Sequence, residues 1–75
     1  MKYRILWHDY EDDHSGEPIQ VEASSPKEAY FKASTALDEF IGKPNMHYIE
    51  VLIDENGKPY NPDFELPDEQ STEVK

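Results

Sequence analysis

The tetrapeptide Ser25-Pro26-Lys27-Glu28 and the later Gly42-Lys43-Pro44 bracket one helix, and that helix constrains every other element of a 75-residue chain. Serine at an N-cap accepts from an orphan amide, proline at the first helical position has no amide to leave unpaired, and glutamate at the third completes a capping box. Gly42 suits the left-handed residue that ends a helix, and Pro44 prevents its continuation. Between these signals Ala29, Tyr30, Ala33, Ala36, Leu37, Phe40 and Ile41 recur at helical spacing, which predicts one buried stripe. The three alanines allow close approach to a sheet, Leu37 and Phe40 are expected to fill the ends, and Phe31 projects from the polar side.

The flanking segments alternate with a period of two. Residues 2 to 9 set Tyr3, Ile5 and Trp7 against Arg4, Leu6 and His8, and predict a first strand. Asp9 to Gly16 carries charge and turn residues without apolar period and reads as a loop. After Pro18, Ile19, Val21 and Ala23 alternate with Gln20 and Glu22 as a second strand, and the short connection favours an antiparallel hairpin with the first. Residues 47 to 53 set Ile49, Val51 and Ile53 against Tyr48, Glu50 and Leu52 as a third. Asn56-Gly57 is the pair favoured in type I′ turns, where both central residues need positive φ. Pro59 would confine a short fourth strand through Tyr60 to an edge.

The expected architecture is α+β: a single ββαβ domain over 1–60, one helix packed on a three-stranded mixed sheet in the order 2-1-3, with a short fourth edge strand. Right-handed strand-helix-strand crossover supports that order. Residues 61–75 hold two prolines and five acidic residues against one basic, and are expected to form a largely disordered acidic tail. Phe64 and Leu66 are the tail residues able to fold back.

Composition excludes more than it assigns. A chain without cysteine has neither a disulfide framework nor a thiolate metal site, so packing alone must hold its small core. No run approaches the ~20 apolar residues of a membrane span, and charge interrupts the N-terminal apolar run too early for a signal peptide; a cytoplasmic protein is expected. A net charge of −10 repels phosphate, so direct nucleic-acid binding is disfavoured, although Trp7 or Tyr48 could offer stacking platforms. GxGxxG, Walker A, HExxH and GxSxG patterns are absent, and with three glycines, all at turns, no phosphate-cradling loop is available.

The richest polar cluster is Asp9, Glu11, Asp12, Asp13 and His14. Its oxygen donors suit hard cations, but the glycine lies three residues after Asp13 instead of immediately after it and no glutamate arrives at the twelfth position, so a solvated hairpin loop is expected rather than a metal site. His8, His14 and His47 share no helical or strand spacing that would join them. Catalytic residues, metal ligands and cofactors are all expected to be none.

Residues 17 to 37, from Glu-Pro-Ile-Gln-Val-Glu-Ala-Ser-Ser-Pro-Lys-Glu-Ala onward to Leu37, resemble the strand-cap-helix passage of small uncharacterised bacterial and phage ββαβ proteins. That resemblance implies a fold pattern and transfers no functional residue. The functional expectation is a small acidic protein-interaction or regulatory module acting on an unknown protein partner or as a homodimer. Its acidic surface could also mimic nucleic acid, and the alternative class is a small ligand-binding protein or enzyme using sheet-face Tyr and His side chains. The expected interface lies on the sheet face opposite the helix, through Leu6, His8, Tyr48, Glu50 and Leu52.

Overall fold

The computed structural model describes residues 1–44, 46–63 and 66. Among them five strands and one helix follow in the order β1 (Lys2–Asp9), β2 (His14–Ser15), β3 (Ile19–Glu22), α1 (Pro26–Ile41), β4 (His47–Ile53) and β5 (Pro59–Tyr60). The fold is a small α+β one, with α1 packed on the sheet. Every strand pairing is antiparallel, so the expected three-stranded mixed sheet is replaced by a five-stranded antiparallel one. β5 is the short edge strand expected through Tyr60, on the outer edge of β4, and the unexpected strand is β2, which arises because the segment read as a loop rejoins β1 at His14.

β1 organises the sheet. Along one edge it pairs with β4; along the other it pairs first with β3, at Lys2 to Ile5, and then with β2, at His8 and Asp9. Tyr3, Ile5, Trp7 and Asp9 all face the helix and are buried, as the alternation requires. The core that Tyr3, Ile5 and Trp7 form with Ala23, Ala29, Ala33, Leu37, Ile49 and Leu52 is continuous. Burial pushes the Tyr3 hydroxyl up to about 12, because the phenolate would have to form among apolar neighbours, with the Tyr60, Asp54 and Glu55 charges adding to the effect.

The helix boundaries follow their caps. Ser25 Oγ accepts from the Glu28 amide at 3.0 Å, and Gly42, at φ 85°, donates its amide to the Asp38 carbonyl at 2.8 Å. The reciprocal arm departs from the expected box. The Glu28 carboxylate accepts from the Ser24 amide and the Ser24 hydroxyl, each at 2.7 Å, one residue before the cap. These bonds hold the Glu28 carboxyl below the usual carboxylate range. Within the stripe Ala29, Ala33 and Leu37 are buried and Tyr30 and Ile41 half-buried, but Ala36 is exposed and Phe40 is 78% exposed. Phe40 therefore does not fill the end of the core. Its ring meets Trp7 edge-on, with centroids 6.5 Å apart, at the margin of the sheet.

The largest departure from the sequence expectation is a bulge. Leu6 pairs with Val51 and Trp7 with Ile49, which leaves Glu50 as the extra residue between them. One extra residue reverses the parity of all that follows. Leu52 therefore lies opposite Ile5 and is fully buried under the helix, while Val51 and Ile53 turn to the open face as partners of Leu6 and Arg4.

The β4–β5 turn differs too. Gly57 has φ 85° while Asn56 does not share its positive φ, so the type I′ expectation fails. Asp54 takes over instead: its Oδ1 accepts from the amides of Asn56 and Lys58, each at 2.9 Å, and its carbonyl accepts from Gly57.

Leu52→Ala is expected to cost about 2–5 kcal/mol in denaturant unfolding, as for a fully buried leucine, and Val51→Ala distinctly less; the reverse ranking would contradict the bulge. Glu28→Gln is expected to lower stability at neutral pH. Because the folded-state pKa is depressed, that contribution is present above the ordinary carboxylate range and is lost as pH falls through the folded value. The gap between variant and parent in thermal melts should thus close on acidification, and a pH-independent gap would contradict this.

Candidate functional site

The sequence places a broken strand beside a helix rich in small residues, and a groove results. Between β2 and β3 the residues Gly16-Glu17-Pro18 leave the ladder, and the α1 residues Ala36, Leu37 and Phe40 stand across from them. The groove has a volume of about 660 Å³. Its floor is the Trp7 indole, 3% exposed and fixed by a 2.8 Å hydrogen bond from Nε1 to the Glu17 carbonyl. Gly16 is required there, since a Cβ at this position would overlap the indole ring. Ile19, Val21, Leu37 and Phe40 supply apolar wall.

One end of the groove is acidic. Asp9, Asp12 and Glu17 line it together with His14, and no lysine or arginine is among its lining residues. Asp9 is 7% exposed although it is a carboxylate. Its Oδ1 accepts from the Glu11 amide at 2.8 Å and the Asp12 amide at 3.3 Å, so this side chain folds the turn in the manner of Asp54. Donor atoms of Asp9, Asp12 and His14 lie within 4.8 Å of one another, a set able to hold a cation. Neither Asp9 nor Asp12 has a lysine or arginine at ion-pair distance among the described residues. Glu11 and Asp13, by contrast, point away, to Lys43 at 3.1 Å and His8 at 3.2 Å.

Asp9 lies between two histidines that sequence spacing did not join. β2 puts His14 opposite it on one side, and β4 puts His47 opposite it on the other. His47 faces the helix with its side chain 6% exposed. Its Nε2 is 3.1 Å from Ser34 Oγ, and its Nδ1 is 3.1 Å from Asp38 Oδ1. The order Ser, His, Asp matches that of a nucleophile, base and orienting carboxylate. The geometry is that of a tether between α1 and β4 instead: Nδ1 lacks the angle of a hydrogen bond despite its short distance to Asp38, and the groove does not reach Ser34.

The residues expected to form an interface divide. Leu6, His8 and Tyr48 lie on the open face, Glu50 occupies the bulge, and Leu52 belongs to the core. Val51 and Ile53, half-buried, take the place assigned to Leu52. Tyr48 donates to the Asp63 carboxylate at 3.0 Å, and that acceptor, followed by its charge, pushes the Tyr48 hydroxyl up. Leu66 packs against the core cluster, whereas Phe64 and residues 67–75, including most of the acidic tail, lie outside the described residues. No helix of the described residues is long and apolar enough to cross a membrane. No family model, no curated protein and no solved structure matches this chain.

Asp9→Ala removes the acceptor of two turn amides and is expected to cost about 1–3 kcal/mol. Asp9→Asn keeps the acceptor oxygen and should cost less. Equal losses in chemical unfolding would show that the carboxylate's charge, and not its turn bonds, holds the loop.

Proposed function

We propose that this chain is a small acidic protein-interaction module that works by binding rather than by catalysis, and that it receives a segment of a partner protein in the groove between α1 and the β2–β3 edge. The observation that carries this reading is the groove itself: about 660 Å³, apolar along most of its length, in a chain of net charge −10. Binding sites combine mostly apolar walls with a few convergent polar groups, and this groove has that composition. Its acidic end and the overall charge select a cationic partner and act against nucleic acid. Trp7 lies in the floor beneath Gly16 and is too buried to act as a stacking platform for bases.

A second reading, self-association through the open sheet face, rests on Leu6, Val51 and Ile53, which form one half-buried apolar group flanked by Arg4 and Tyr48. Lys2 and Glu22 lie opposite one another on that face, so both charge signs are available for an isologous contact.

Selection of a random-peptide phage library against the full chain separates the two. Peptides recovered on the parent protein should lose about ten-fold or more of their affinity for Ala36→Trp, which blocks the groove from an exposed helix position. They should bind Val51→Glu unchanged. Selected peptides indifferent to Ala36→Trp would refute the groove, and a dimer by light scattering that Val51→Glu dissolves would support the second reading.

A further inference from the structure

The groove is uneven along its length, and the unevenness specifies an occupant. Asp9 is a largely buried carboxylate at one end of the groove, where a complementary positive charge would be drawn. Its Oδ1 accepts from the Glu11 and Asp12 amides, and it lines the groove with no lysine or arginine at ion-pair distance among the described residues. Asp12, exposed and within 4.8 Å of it by donor atoms, adds a second carboxylate at the same end. The remainder of the groove, from Trp7 to Phe40, offers hydrocarbon and aromatic edge.

We propose that the partner segment seats an arginine between Asp9 and Asp12 and lays a neighbouring large apolar side chain along the Ile19, Val21 and Phe40 wall. The proposal rests on the groove being a protein-binding site and adds the chemistry of its ligand. Two carboxylates so close together and without a cationic partner suit a planar guanidinium, whose several N–H donors can serve both at once. A lysine ammonium, a more strongly hydrated point charge, would lose more on leaving water. The apolar wall then supplies the contact area, and the ion pair fixes which way along the groove the segment runs.

The probes are the peptides recovered from the random library, resynthesised with arginine, lysine or the neutral isostere citrulline at each arginine position, and titrated calorimetrically into the full chain. Arginine should be enriched among peptides that Ala36→Trp excludes, and replacing it by citrulline should weaken binding about ten-fold or more. On Asp12→Asn, whose exposed side chain can change without loss of the turn, the citrulline penalty should shrink several-fold. Peptides that occupy the groove yet show neither arginine enrichment nor a citrulline penalty would overturn this proposal and leave the groove reading standing. Peptides that ignore Ala36→Trp would overturn both. Saturable Zn²⁺ or Ca²⁺ binding that Asp12→Asn abolishes, combined with no preference for arginine, would assign the carboxylates to a metal and overturn the proposal as well.

Discussion

The rest of the structure depends on β1 having a buried face and two occupied edges. Tyr3, Ile5, Trp7 and Asp9 point under the helix, and the ladders to β4 on one side and to β3 and β2 on the other use its edges from Lys2 to Asp9. A chain of this size buries only about 60% of its unfolded surface, so a central strand contributing three large apolar residues accounts for much of its stability. Trp7 illustrates how packing passes into function. The same side chain closes the core against Ile49, is fixed by Glu17, and supports Gly16 at the base of the groove.

Two aspartates do for the turns what the apolar residues do for the sheet. Asp9 ends β1 and Asp54 follows β4; each is almost fully buried and accepts two backbone amides from the turn it begins. The two differ in their remaining oxygen. Asp54 Oδ2 accepts from the Tyr60 hydroxyl at 3.3 Å, which joins the turn to β5, while Asp9 faces the groove. A structural device is thus used twice, once to join a turn to β5 and once beside the groove for which we propose a ligand.

Much of this was legible in the sequence, because its signals were local. Ser25, Pro26, Glu28 and Gly42 mark the ends of α1 through backbone chemistry that operates whatever the tertiary context. The alternations of β1 and β3 reflect one buried face each. The bulge was not legible: Tyr48-Ile49-Glu50-Val51-Leu52 alternates without interruption, and no glycine or proline marks Glu50 as the extra residue. Only the demand that Leu52 and Ile49 both reach the helix reveals it, and that demand comes from β1. The site was hidden for the same reason. His14, Asp9 and His47 are joined by strand pairing on two sides of β1, and the groove exists because a two-residue strand too short to leave a periodic signal brings Gly16 over Trp7.

The central claim is that β1 sets both faces of the sheet, with β4 changing parity at Glu50. Methyl NOEs in the uniformly labelled protein test it most directly, because directly opposed side chains lie about 5 Å apart at Cβ and diagonal ones farther. Strong cross-peaks are expected between Ile5 and Leu52 methyls and between the Trp7 ring and Ile49 methyls, a pair of contacts that only a bulge between them allows. A straight ladder would contradict it, either in the register of Trp7 and Ile49, with Val51 methyls contacting Ile5 and Leu52 opposite Arg4, or in the register of Ile5 and Leu52, with Glu50 opposite Trp7.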